Sequence, residues 1–306
     1  MEYIDEADYS MKNTIVAFGC FDGLHQGHRM VLNSLMENKE GCDHAVILSL
    51  DTICSELKGD IKVIYTEEEK AGLLKGDAAD AMVSLPLDAV VLAMEAEDFV
   101  KTILIGKFDA KKIVAGENLK FGKDRAGDIA LLEELSGKYG YELIRCATVE
   151  HEGREITSDW IKIELEEGDL KKANELLGHP FTIFGEVVHG KALGRTVGMP
   201  TANLKVPDSK IMPKFGVYGS LSEIESNTVK GLTNIGRRPS VDDHSYVTIE
   251  TFLIDFASDI YGEQIALELY AYIRGVVKFP NLEAVKKQVD KDLQVIRSEL
   301  DRVFIA

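Results

Sequence analysis

Gly19-Cys20-Phe21-Asp22-Gly23-Leu24-His25-Gln26-Gly27-His28 decides how the N-terminal half of this chain folds. It follows the apolar run Ile15-Val16-Ala17-Phe18 and precedes Arg29-Met30-Val31-Leu32-Asn33-Ser34-Leu35-Met36, whose apolar residues recur at helical spacing. A strand therefore runs through a glycine-bearing turn into a helix, and two imidazoles sit at the helix N-terminus. Free backbone N–H groups and the positive end of the helix dipole make that place an anion site, for which a phosphate chain is the natural ligand. A zinc pair made of His25 and His28 lacks a nearby third Cys or His at metal-ligand spacing. Ordinary helix-start residues account for one histidine or one glycine, but poorly for Gly19, Gly23, Gly27, Asp22, His25 and His28 packed into one turn.

Around that turn, short apolar runs alternate with helical patterns. Val46–Leu50, Ala89–Leu92, Lys112–Ala115 and Tyr141–Ile144 read as strands. Helices are expected after the capping-box spacing of Thr66 and Glu69, around Ala96–Leu104 and over Asp128–Tyr139. Such alternation predicts a parallel, doubly wound sheet with ligands at the carboxyl ends of its strands, where His25 and His28 lie. Two more segments are candidates for the same site. Gly116–Asp128 follows a predicted strand and joins glycines to Lys120, Lys123 and Arg125; it is either a polar surface loop or a ligand loop. Ile156-Thr157-Ser158-Asp159-Trp160-Ile161-Lys162 opens a helix with hydroxyls at the cap.

The pattern changes after Leu176-Leu177-Gly178-His179-Pro180, where a helix ends in Gly and Pro. From Phe181 onward, Phe181–Val188, Gly216–Ser220, Lys230–Asn234, Tyr246–Phe256 and Gln264–Ile273 read as closely spaced strands. They predict an antiparallel barrel closed by one amphipathic helix carrying Leu282, Val285, Val289, Leu293, Ile296 and Leu300. The expected domains are residues 1–180 and 181–306. Within the second, Gly190-Lys191-Ala192-Leu193-Gly194-Arg195-Thr196-Val197-Gly198-Met199-Pro200-Thr201-Ala202-Asn203-Leu204 combines glycines that admit a phosphate with the charges of Lys191 and Arg195. Thr201 and Asn203 add hard oxygens of the kind magnesium accepts. Alternation places Glu250 on one strand face with Tyr246, Thr248, Phe252, Ile254 and Phe256. A carboxylate there is either desolvated and suited to general-base work or paired with an arginine such as Arg274.

Composition bounds the function. The chain has 306 residues, 45% of them hydrophobic, and a formal charge of −17, which disfavours nucleic-acid and anionic-membrane partners. Cys20, Cys42, Cys54 and Cys146 are scattered without a CxxC, so neither a disulfide framework nor a zinc site is expected. The first fifteen residues carry Glu2, Asp5, Glu6 and Asp8 and no basic segment, unlike a secretory signal, so a cytoplasmic location is expected.

Gly19–His28 resembles the first signature of the HxGH nucleotidyltransferases, and its GxFDGxHxGH form is similar to the bacterial flavin-adenylating branch. Gly116–Gly122 resembles that family's GxNxxFG loop, and Thr157–Lys162 its SSTxIR element. Gly190–Asn203 resembles the GxxxGxPTAN motif of riboflavin kinases, with Gly216-Val217-Tyr218, Asn234–Pro239 and Asp259–Gly262 following in the family's order. The resemblance covers nearly the whole chain and implies a bifunctional riboflavin kinase/FMN adenylyltransferase.

In the N-terminal half it implies His25, His28 and Lys162 as catalytic groups and Gly19, Phe21, Asp22, Gly23, Asn118, Phe121, Gly122, Arg125 and Ser158 as nucleotide or flavin contacts. In the barrel it implies Glu250 as base, Thr201 and Asn203 as magnesium ligands, and Gly190, Lys191, Gly194, Arg195, Gly198, Pro200 and Arg274 as binding residues. ATP is the co-substrate, and riboflavin, FMN and FAD are the small-molecule partners. Three departures touch the adenylating end: Asp159 stands for the family's threonine, Lys162 for its arginine, and Ile53 lies where an FDPHP motif has histidine. They suggest slowed adenylation. A monofunctional kinase, a cytidylyl- or pantetheine-type transferase, which would leave the barrel motif unexplained, and a non-enzymatic flavin sensor are the competing readings.

Overall fold

A computed structural model describes residues 1–4, 9–53, 61–190, 200–239 and 245–303. Internal packing divides the chain into two units, Met1–Ser158 with Ser209–Ile211, and Asp159–Asp208 with Met212–Ala306.

The first unit is built on a six-stranded parallel sheet. Its elements, in chain order, are β1 (Glu2–Ile4), β2 (Thr14–Gly19), α1 (Gln26–Glu37), β3 (His44–Asp51), α2 (Glu67–Leu73), β4 (Ala81–Pro86), α3 (Ala89–Leu92) and α4 (Ala96–Phe99). A π-helix over Val100–Lys107 follows, then β5 (Ala110–Gly116), α5 (Ile129–Tyr139), β6 (Glu142–Cys146) and the hairpin β7 (Glu150–His151) and β8 (Arg154–Glu155). The sheet order is β1-β4-β3-β2-β5-β6. Along β2 the side chains alternate between two cores. Val16 and Phe18 join one with Leu48 and Ile113, while Ile15 and Ala17 join the other with Ile47 and Val114. Burial on both faces is what makes the strand a continuous apolar run. Because β2 lies between β3 and β5, the chain reverses its winding there, and the crevice beyond the carboxyl end of β2 is the switch point where α/β sheets bind ligands.

Two expectations for this unit change. Ala89–Leu92 is helix α3, not a strand, because Asp88 caps it, its carboxylate accepting from the Val90 and Val91 N–H groups at 2.9 Å. The strand of this region is β4, whose Ala81–Leu85 is buried. A four-residue apolar run has no periodicity to separate helix from strand, so the cap decides it. Thr66 and Glu69 form the expected capping box at the start of α2.

The second unit begins with α6 (Ser158–Glu167, all but its first residue) and α7 (Leu170–Leu177). A closed barrel follows, of β9 (Phe181–Val188), β10 (Thr201–Lys205), β11 (Gly216–Ile224), β12 (Asn227–Pro239), β13 (Ser245–Leu253) and β14 (Gln264–Gly275), and then α8 (Leu282–Val303). The barrel order is β10-β13-β12-β11-β14-β9, with its pairings antiparallel. Ser220, Thr233 and Thr251 link their hydroxyls along the neighbouring strands β11, β12 and β13 at 2.7 and 2.9 Å. Outside, Val289, Leu293, Ile296 and Leu300 of α8 pack with Val217, Leu221 and Leu232, as the apolar stripe predicted. The two helices ahead of the barrel belong to it by packing: Asn174 donates to the Leu269 carbonyl at 2.9 Å and accepts from the Phe181 N–H at 2.8 Å. The expected boundary at 180 thus falls after helices that pack with the second unit.

Candidate functional site

In the first unit, a cavity of about 690 Å³ opens at the carboxyl ends of β2 and β5. Gly19, Phe21, His25 and His28 from the signature turn line it, together with Asn118, Phe121, Gly122 and Arg125 from the loop after β5, and Ser158. Local geometry explains the turn's composition. Phe21, Gly23 and Leu24 all adopt positive φ, at 47°, 90° and 47°, so the chain reverses sharply before α1. His25 caps α1, its Nδ1 accepting from the His28 N–H at 3.4 Å, and the two rings stack at 3.6 Å. A Cβ on Gly27 would lie 3.1 Å from the His25 ring, a contact tight enough that the imidazole would have to give way by a few tenths of an ångström.

His28 is pushed well below the ordinary imidazole range by burial, then by His25 and Lys70, and is neutral at pH 7. Its Nδ1 is buried without a hydrogen-bond partner among the described residues. A neutral, desolvated imidazole beside a helix N-terminus takes up positive charge when an anion arrives.

Asp22 and Gly23 do not line the cavity. The Asp22 carboxylate accepts from the N–H groups of Ile64 and Tyr65 at 2.7 and 3.2 Å, and its carbonyl accepts from the Ser158 hydroxyl at 2.8 Å. The carboxylate thus anchors the turn, an acceptor-only group held where backbone amides are. Behind the turn lies a cluster that sequence reading missed. Lys70, buried, donates to the Cys20 carbonyl and to Glu67, both at 2.6 Å, and Lys210 donates to the Ile64 carbonyl and to Glu69. Burial pushes Lys210 down to about 8 against the opposing pull of Glu69. Lys70 on a solvated-looking acidic helix and Lys210 in the connection after β10 carry no sequence signal of burial.

The loop after β5 is tied to itself by paired N–H to carbonyl bonds between Phe121 and Gly127. Gly122 is required: its φ is +71°, and a Cβ there would meet Ala96 Cα at 2.6 Å. Lys120 pairs with Asp128 and Lys123 with Glu95, whereas no carboxylate among the described residues pairs with Arg125. Asn118 donates to Thr148 and Glu155 at 3.0 and 2.6 Å within the cavity wall. Asp159, Trp160 and Lys162 lie on α6 in the second unit, where Trp160 is buried and donates to Glu164.

On the barrel, register assembles a second site. Asn203 of β10 stands opposite Glu250 of β13, which stands opposite Asn234 of β12. Directly paired residues share a face, and Ile249, Thr251 and Leu253 are the buried interior set, so Glu250 is on the outer face with Phe252, where α8 also packs. Thr201, two residues before Asn203, shares that face. A Cβ on Gly190 would collide with the Asn203 amide, so this glycine is needed for that approach. Arg274, the alternative partner considered for Glu250, is paired to the buried Asp292 at 2.8 and 2.9 Å. Lys191, Gly194, Arg195 and Gly198 lie outside the described residues; Pro200 directly precedes β10. His189, left without a role by the sequence, stacks on Tyr261 at 3.8 Å.

An anion-cradling helix start at the switch point of a parallel sheet, joined in one chain to a barrel with a carboxylate and two amides in register, defines a two-domain transferase using nucleotides. A family model described as FAD synthetase matches residues 8–160, and one described as riboflavin kinase matches residues 177–300. The bifunctional riboflavin kinase/FMN adenylyltransferase of Escherichia coli is 32% identical over 91% of this chain and 90% of its own, and that of Listeria monocytogenes 30% identical over 94% and 92%. A crystal structure of a macrolide-efflux protein from Streptococcus pneumoniae is 28% identical, with a TM-score of 0.84 over 97% of this chain and 99% of that one.

The chain belongs to the bifunctional riboflavin kinase/FMN adenylyltransferase family, and its two domains serve FAD biosynthesis from riboflavin. With both domain models matched, neither the monofunctional kinase nor the flavin sensor is favoured. No helix among the described residues is long and apolar enough to cross a membrane.

Proposed function

We propose that residues 181–306 transfer the γ-phosphoryl group of ATP to the riboflavin 5′-hydroxyl and that residues 1–180 join the resulting FMN to AMP. In the barrel, Glu250 accepts the hydroxyl proton as oxygen attacks phosphorus, and ADP leaves. Its position between Asn203 and Asn234 supports this, since both neighbours are neutral and leave the carboxylate as the charged group of the row. Thr201 and Asn203 present neutral oxygens on the same face, a donor set that suits magnesium arriving with a triphosphate. Magnesium would neutralise phosphate charge there; the chain's own part is to orient the hydroxyl and hold its proton.

In the first unit, the FMN phosphate attacks the α-phosphorus of ATP and pyrophosphate leaves, so no protein nucleophile is needed. The observation that carries this reading is the stacked His25–His28 pair on the N-terminus of α1, facing one cavity with Arg125. Catalysis is alignment and charge stabilisation by these groups, to which the family resemblance adds Lys162. Asp159 in place of the family's threonine and Ile53 in place of a histidine slow this step. We place the enzyme in the cytoplasm, where both reactions find ATP.

The test is a time course with riboflavin, ATP and magnesium, separating riboflavin, FMN and FAD. FMN accumulates ahead of FAD if the reading is right; FAD formation that never lags FMN would refute the slowed adenylation.

A further inference from the structure

The first unit is not made from the N-terminal half of the sequence alone. Ser209–Ile211, from the connection between β10 and β11, packs with it. There the segment runs parallel to Val63: the Val63 N–H donates to the Ser209 carbonyl at 2.9 Å, and the Ile211 N–H donates to the Val63 carbonyl at 2.8 Å. Lys210, fully buried, places its ammonium 2.8 Å from the Ile64 carbonyl, 3.0 and 3.1 Å from the two oxygens of Glu69, and 4.2 Å from the centre of the Tyr65 ring.

Each of those partners leads to the signature turn. Ile64 and Tyr65 give their N–H groups to Asp22, inside the positive-φ turn that ends at His25. Glu69 closes the capping box of α2, the helix whose Lys70 holds the Cys20 carbonyl. One side chain thus braces both supports of the turn.

We infer that Lys210 is a positioning residue for adenylyl transfer: a lysine encoded among the kinase residues holds the Ile64–Tyr65 segment and Glu69 that set the His25–His28 turn. The inference rests on the turn being the adenylyl-transfer site. A buried ammonium cannot be removed locally, because Glu69 would keep a buried charge without its partner and the segment bearing the Asp22 donors would shift. Displacements on the order of 1 Å at a site that works by alignment cost up to about a hundredfold in rate.

The experiment uses the full chain and follows riboflavin phosphorylation and FMN adenylation separately in Lys210→Met, Lys210→Arg, Lys210→Met with Glu69→Gln, and His28→Ala. Lys210→Met is expected to raise the ATP KM of adenylation about tenfold or more, with riboflavin phosphorylation within about twofold of wild type, and Lys210→Arg to recover most of the loss. The double variant tests folding, since removing both charges leaves no orphan; it should melt near wild type and still show the raised KM.

Unchanged adenylation in a folded Lys210→Met protein overturns the inference. So does a parallel loss of both activities, which reports lost folded enzyme. Full adenylation in His28→Ala would instead overturn the site itself and this inference with it, whereas loss in His28→Ala beside normal Lys210→Met overturns the inference only.

Discussion

The adenylating unit and the barrel handle phosphate with different resources. In the first, two imidazoles and a helix N-terminus face a cavity through a turn held in strained backbone, with φ positive at Phe21, Gly23 and Leu24. In the second, Glu250 reaches its neighbours through strand register alone, standing between Asn203 and Asn234 on a barrel wall. A site made by a turn depends on what braces the turn, and here the bracing is buried, charged and distant in sequence. A site made by register depends on hydrogen bonds that run the length of three strands. One mutation far from the chemistry should therefore disturb the first more readily than the second, and the difference follows from how each backbone is fixed.

The sharpest contrast comes from the groups themselves. Glu250→Gln should lower riboflavin phosphorylation by roughly 10²–10⁴-fold, the worth of a positioned base, and leave FMN adenylation unchanged. Turnover within about threefold of wild type would return Glu250 to a structural role. His28→Ala should do the converse, costing adenylation about 10²–10³-fold as for a lost oxyanion donor, with phosphorylation untouched; separate assays with riboflavin and with FMN decide it.

The barrel's independence can be tried by truncation. Residues 159–306 keep Asn174 and the buried Leu170, Ala173, Leu176 and Leu177, whereas residues 181–306 lose them. Burial of each leucine contributes about 1.5–3 kcal/mol, so the shorter fragment should melt markedly lower or fail to fold, and calorimetry on both compares them. Equal stability would support the boundary at 180.

Asp159→Thr with Lys162→Arg should accelerate FMN adenylation about tenfold, equivalent to about 1.4 kcal/mol of barrier, and leave phosphorylation as it was. No gain would mean these departures from the family pattern cost nothing. The smallest effect is in pH. Burial lowers His28 below its unfolded value near 6.5, so below that pH the unfolded chain binds the extra proton and the folded chain does not. The stability contributed by neutral His28 is complete above about pH 6.5 and declines as pH falls. Melting temperatures at pH 5.5 and 7.5 should differ by less in His28→Gln than in wild type.

What the sequence determined by itself is local. The strand, turn and helix around Gly19–His28, the capping box of Thr66 and Glu69 and the strand Phe181–Val188 follow from short-range sterics, capping and periodicity, and the structure has them where the residues place them. The tertiary structure decided what depends on partners remote in the chain. It gave the Asp22 carboxylate to the Ile64 and Tyr65 amides and paired Arg274 with Asp292 in place of Glu250. It also buried Lys210 against Glu69, 141 residues away. A lysine's sequence context is the same whether its ammonium meets water or a buried carboxylate, because burial is a property of the packed chain and not of its neighbours along it.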